Sequence, residues 1–147
     1  MAAGPRVEFV QIGEVDLAAD LGVTPVVGNE LLWARAQVVA ACAAARIRPP
    51  LAAASPVIDA PKAFAVKTRQ LTGLGFFGRA CIHPRQIAPA REGMAPTNAE
   101  VDAARDVLAA FDAAGGAAAT DSAGRLIDEA VARIARRTLT RLSGASA

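Results

Sequence analysis

The chain has 147 residues, 53% of them hydrophobic, and a formal net charge of +2. That length and apolar content suffice for a folded domain with a real core and exclude a disordered chain, while so small a net charge gives no electrostatic reason to expect a nucleic-acid partner. Two cysteines, Cys42 and Cys81, far apart and without CxxC spacing, together with a single histidine, argue against zinc and for reduced thiols.

In chain order, Val7 to Ile12 reads as a buried strand, and the turn at Gly13 opens a short helix through Asp20 that Gly22 terminates. Asn29 is a good N-cap for the next helix, where Leu32, Ala36, Val39, Ala43 and Ile47 form an inward stripe and Pro49-Pro50 ends it. Ser55 to Asp59 reads as a weaker strand ending in an aspartate. Lys62 to Leu74 is a helix entered through Pro61, and Gly75 and Gly78 bracket the turn into a strand over Arg79 to Ile82. This alternation of strand and helix favours parallel strands with right-handed crossovers.

Beyond it the character changes. Thr97-Asn98-Ala99-Glu100 is a capping box, and Val101, Ala104, Leu108 and Phe111 make the apolar stripe of the helix it starts, which Gly115-Gly116 ends. Ala117 to Thr120 reads as a short extended piece, and Asp121 to Gly124 as a turn before a final helix carrying Ile127, Val131 and Ile134. Arg133, Arg136, Arg137 and Arg141 fall in the last turns of that helix, where they read as a solvated face complementing the dipole. Met1 to Arg6 lacks the layout of a signal peptide, and the longest apolar stretch, Val38 to Ala45, is too short to span a bilayer. A cytoplasmic location, with neither a membrane nor a nucleic acid as partner, is the expectation.

Three segments carry chemistry-bearing residues at strand ends. Gly13 to Gly22 has the form G-x-x-D-x-A-A-D-x-G, Gly75 to Gln86 the form G-F-x-G-[KR]-x-x-I-H-P-x-Q, and Gly124 to Asp128 the form G-[KR]-x-[IL]-D. In this order they resemble the citrate lyase beta-chain-like and malyl-CoA lyase family, magnesium-dependent carbon–carbon lyases on a (β/α)8 barrel. A complete barrel of this kind needs about 250 residues, so the resemblance is to the second half of the family's length. It implies an α/β fold: about the last three β/α units of the barrel over residues 1–95, and a C-terminal helical extension over 96–147 that in the family reaches over a neighbouring subunit's site.

The resemblance also implies roles. Asp16 corresponds to one of the family's two protein ligands to Mg2+, the other being a glutamate on a preceding strand absent from this sequence; its alternative reading is a helix-start carboxylate favoured by the dipole. Glu14 and Asp20 lie nearby in sequence as weaker metal candidates. His83 reads as a contact to the substrate or CoA, or as an imidazole that hydrogen-bonds the turn before Pro84. Asp59 reads as a pocket-rim residue, and Arg79, at the opposite strand end from His83, as a surface residue rather than one that binds an anion at the strand entrance. Asp128 is the candidate acid or base, or a first-turn helix carboxylate beside Glu129. Trp33 and Phe64 read as packing residues.

Two functions follow as expectations. One is a lyase half that cleaves or forms a citryl-, malyl- or citramalyl-CoA-type ester, with an acyl-CoA and a small oxo acid as substrates, acting as a homo-oligomer or with a complementing half-chain. The other is a catalytically inactive half-barrel that serves as an oligomerisation or interaction module. A third, a small CoA- or phosphate-binding domain, lacks a Gly-rich phosphate loop.

Overall fold

The computed structural model describes residues 4, 6–24, 28–121 and 123–145, which divide into two compact units, residues 1–94 and 95–147. No helix among the described residues is long and apolar enough to cross a membrane.

In the first unit three extended segments lie side by side in chain order, all parallel. The opening segment contributes a single bridge, Gln11 to Leu51, supported by Leu51 N–H donating to the Val10 carbonyl at 2.9 Å and Arg48 N–H to Glu8 at 3.1 Å. Strand β1, Leu51–Ala52, then pairs with strand β2, Gly78–Arg79, in the register Leu51 to Gly78 and Ala52 to Arg79. The regular ladders are only two residues long. The expected strand at Ser55 to Asp59 is instead an irregular loop, because Pro56 has no N–H to give a ladder and the Ser55 hydroxyl takes the Val57 N–H at 3.2 Å. Likewise the extended run expected to reach Ile82 stops pairing at Ala80, whose N–H donates to the Ala52 carbonyl at 3.0 Å.

Helices fill the connections. Helix α1, Glu14–Leu21, ends on Gly22 in the left-handed region at φ 67°, with Gly22 N–H donating to Ala19 and Val23 N–H to Ala18, the paired bonds that satisfy orphan carbonyls at a helix end. Helix α2, Leu32–Ala44, begins two residues later than an Asn29 cap requires: Leu31 is the flanking residue, and the Asn29 backbone carbonyl, not its side chain, accepts from Leu32 N–H. Its inner face is also rotated from the expected stripe. Leu31, Ala34, Arg35 and Cys42 are buried while Leu32, Ala36 and Ala43 are exposed. The buried arginine accounts for the rotation, since a purely apolar reading places Arg35 in water.

Helix α3, Pro61–Gly73, starts on a proline whose missing N–H would have had no helical partner anyway. Ile12, Ala34, Ala52, Ala53, Leu71 and Phe76 form the core between these helices and the strands. A short 3₁₀ turn, Pro84–Gln86, leads into helix α4, Ile87–Met94, which the proline spacing conceals in the sequence. Pro89 is the third residue of α4, still among the first four whose N–H groups have no intrahelical acceptor, so it breaks nothing.

In the second unit, helix α5, Asn98–Ala113, carries the full capping box: Glu100 N–H donates to the Thr97 hydroxyl at 3.2 Å, and Thr97 N–H to the Glu100 carboxylate at 2.7 Å. Strands β3, Ala119–Thr120, and β4, Leu126–Ile127, form an antiparallel hairpin, and helix α6, Glu129–Ala145, follows. Ile127 is thus a strand residue, 1% exposed, packed with Phe111 and Ala132, rather than part of the last helix. Because α6 runs to Ala145, the arginine group from Arg133 to Arg141 occupies its middle, not its last turn. Arg136 there pairs with Glu129 at 2.8 Å.

Two outcomes follow. A Cβ on Gly93 of α4 would stand 2.5 Å from the Ala65 carbonyl oxygen and 2.6 Å from the Thr68 Cβ, so Gly93→Ala should cost about 1–3 kcal/mol by overpacking the α3 and α4 contact, read as a lowered melting temperature. In the hairpin, the Asp121 carboxyl is held below its ordinary value by the Arg125 N–H first, then the Arg125 guanidinium and the Ala123 N–H. A folded value below the unfolded one makes that stabilisation present above about pH 4 and lost as pH falls through the folded value. Acid melts of wild type and Asp121→Asn should therefore differ most at neutral pH and converge in acid.

Candidate functional site

The carboxyl ends of the three parallel segments lead to Gly13, to Ala53 and to Ala80, and the chain that follows them carries Asp16, Asp59 and His83. At the first of them, Glu14 and Asp16 open α1 with opposite fates. Glu14 receives both Arg35 Nε and Nη2, at 2.7 and 2.6 Å, in a two-pronged ion pair whose side chains are 12% and 4% exposed. Arg35 Nη1 also donates to the Gly28 carbonyl at 3.1 Å. The carboxylate holds the Arg35 guanidinium above its usual pKa, against the pull of burial. Asp16 is exposed and has no hydrogen bond or ion pair among the described residues. Its Oδ2 folds back toward the turn, 2.8 Å from the position a Cβ on Gly13 would take.

After β1 and β2 the chain makes two loops that one side chain ties together. Gln86, 1% exposed, donates from Nε2 to the carbonyls of Ser55 and Val57 at 2.9 and 3.2 Å and accepts Ile82 N–H on Oε1 at 2.9 Å. This explains the glutamine that closes the G-F-x-G-R-x-x-I-H-P-x-Q segment: it holds the loop bearing Asp59 against the loop bearing His83. His83 is half-buried, and its Nδ1 accepts Arg85 N–H at 3.1 Å, capping the 3₁₀ turn. Nε2 has no partner among the described residues. Asp59 meets Arg85 at 2.9 Å, an ion pair 82% and 72% exposed and worth little to stability.

Arg79 is not a surface residue. Its guanidinium lies 3.8 Å over the Phe64 ring, Nη1 donates to the Thr68 hydroxyl at 2.7 Å and the Phe64 carbonyl at 3.0 Å, and Nε to Ala53 at 3.4 Å. Burial pulls its pKa down, while Glu14 opposes that pull. A cleft of about 530 Å³ lies here, with Glu14, Arg35, Lys67 and Arg79 among its lining residues. The sequence does hint at this network, in the arginine at the [KR] position of the motif and in Arg35 interrupting an apolar helix.

Asp128 belongs to the second unit. It is the N-cap of α6, its Oδ1 accepting Val131 N–H at 3.0 Å while Ala132 N–H donates to its carbonyl at 2.9 Å. Among the described residues, Oδ2 has no partner. The structure therefore links Asp59 to the His83 turn through Arg85, and joins Asp16 to neither by a hydrogen bond or ion pair.

Magnesium takes oxygen ligands near octahedral geometry, commonly one or two carboxylates plus waters and substrate oxygens. Among the described residues no group of three His, Cys, Asp or Glu side chains converges as a metal site. Glu14 is bound by Arg35 and Asp59 by Arg85, so Asp16 is the carboxylate without an ion-pair partner among these three, and a single carboxylate does not fit the ion without further ligands.

Residues 1–84 match the HpcH/HpaI aldolase/citrate lyase family. An L-malyl-CoA/beta-methylmalyl-CoA lyase of Cereibacter sphaeroides is 34% identical over an alignment covering 86% of this chain and 46% of the relative. A citrate lyase subunit beta-like protein of Deinococcus radiodurans is 35% identical, covering 92% of this chain and 49% of the relative. Among solved structures, the protein CitE of Mycobacterium tuberculosis, in complex with magnesium, acetoacetate and coenzyme A, superposes with a TM-score of 0.83 at 26% identity, covering 97% of this chain and 54% of that one. The chain belongs to the HpcH/HpaI aldolase/citrate lyase family. It spans about half the length of the curated relatives it matches.

The buried ion pair is directly testable. Glu14→Gln leaves the Arg35 charge buried without its counter-ion and should cost about 3 kcal/mol, read by urea unfolding. Replacing both partners by apolar residues of similar volume should recover much of that loss.

Proposed function

We propose that this chain supplies the carboxyl-terminal half of a carbon–carbon lyase acting on a hydroxyacyl-CoA ester of the malyl, citramalyl or citryl type. In this reading residues 1–95 are a partial (β/α)8 barrel and 96–147 a C-terminal helical extension, and the rest of the barrel comes from polypeptide outside these 147 residues. The observation that carries it is the 34% identity to a malyl-CoA lyase over 86% of the chain, together with Asp16 standing uncommitted at the carboxyl end of the opening segment. The CitE likeness supports magnesium and CoA as the groups to test.

Asp16 supplies one oxygen ligand to magnesium in this reading, and residues outside the chain supply the others. Magnesium, held in part by Asp16, would supply electrophilic stabilisation to a small oxo acid. No step is assigned through it, because the described donors do not complete its shell. His83 presents Nε2 to the substrate while Nδ1 stays on the Arg85 N–H, and Asp59 shapes the rim through Arg85. By the family resemblance, the Asp128 that serves this site comes from an adjacent protomer and moves the proton with Oδ2, the oxygen its helix cap leaves uncommitted.

The test combines the chain with a polypeptide carrying the first half of a family lyase, magnesium and malyl-CoA, and follows release of the oxo acid. Asp16→Asn and Asp128→Asn should each reduce turnover by about 100-fold, or close to 3 kcal/mol in the barrier. Turnover that survives both substitutions, or none in any combination, overturns the assignment.

A second reading, an interaction module without catalysis and a homo-oligomer in solution, is favoured by the exposed Phe9, Phe77 and Ile82 beside short strands. Light scattering that finds only monomer at every concentration would remove it.

A further inference from the structure

We infer that the cleft between β2 and α3 is a binding site for a small oxyanion, a phosphate or carboxylate group held between Lys67 and Arg79. The cleft, about 530 Å³, is lined by three cations, Arg35, Lys67 and Arg79, against one carboxylate, Glu14. Glu14 is already engaged by two prongs of Arg35, so the local excess of positive charge falls on the other two.

Arg79 is oriented by neutral groups only. The Ala53 and Phe64 carbonyls and the Thr68 hydroxyl accept from Nε and Nη1, and the Phe64 ring lies beneath the guanidinium. These contacts leave Nη2 without an acceptor among the described residues, and the half-buried Lys67 ammonium has none either. A guanidinium whose orientation these contacts set and a lysine ammonium lining the same cleft are the donor types that a phosphate or carboxylate takes. The neighbouring walls, Ala53, Ala54, Pro56 and Leu71, are apolar and offer the two cations no competing side-chain ligand.

Glu30 is the competing group. Arg35 and then Lys67 help hold its carboxyl below the ordinary value, after its backbone hydrogen bonds. No hydrogen bond or ion pair joins Glu30 to Lys67, however: the Glu30 carboxylate takes the Gly28 N–H at 2.7 Å. The inference is independent of the lyase reading, since the donors are complete within this chain.

The experiment titrates the full chain with inorganic phosphate, with malonate, and with chloride at matched ionic strength, following the Arg79 Nε–H and Ala54 amide signals by NMR. Saturable shifts with phosphate alone identify a phosphate-type ligand, and with malonate alone a carboxylate. Lys67→Met, which removes no hydrogen bond of the fold, should raise the half-saturating concentration about tenfold, equivalent to 1.4 kcal/mol. Arg79→Lys keeps the charge, loses the planar edge and should also weaken binding. Shifts no different from those with chloride, or unchanged affinity in folded Lys67→Met protein, overturn the site.

Discussion

Burying the Arg35 guanidinium is costly unless a carboxylate meets it, and in the first unit that pairing joins residues 21 apart in the chain. Arg35 lies on the inner face of α2, and Glu14 opens α1 directly after the first parallel segment. Their two-pronged contact fixes α1 against α2 and rotates α2 about its axis, burying Leu31, Ala34 and Cys42. It also removes Glu14 from the carboxylates available to a ligand, leaving Asp16 as the exposed acid at that strand end.

The same economy of polar groups orders the other two strand ends. Gln86 is nearly inaccessible, yet it satisfies two loop carbonyls and one N–H that short strands leave unpaired. Regular pairing covers two residues in β1 and in β2, so side chains rather than ladders carry the loops that bear Asp59 and His83. Arg79 plays the corresponding part beneath, bridging β2 to the first turns of α3. These contacts account for how a chain spanning about half the length of its curated relatives holds the loops at its strand ends in place.

Much was legible in the chain itself. Gly22 as a helix stop, Pro61 as a helix start and the Thr97 to Glu100 capping box all act within a few residues, and each occurs where local chemistry places it. The motif-bearing turns were legible for the same reason. Other readings fail for another cause: Ile127 as helical and Ser55 to Asp59 as a strand follow from apolar pattern alone, and Arg79 as a surface residue from its place along the strand, none of which reveals a distant partner.

Sequence alone determined the Thr97 capping box, the Gly22 helix stop, the Pro61 helix start and the family motifs, because these depend on backbone dihedrals and hydrogen bonds between near neighbours. Tertiary structure alone decided which charges are buried, which face of α2 is inward and which carboxylate stays uncommitted. Those outcomes depend on partners distant in the chain, Arg35 with Glu14 and Gln86 with Ser55, and the free energy of a charge or amide is set by the neighbours that replace its water.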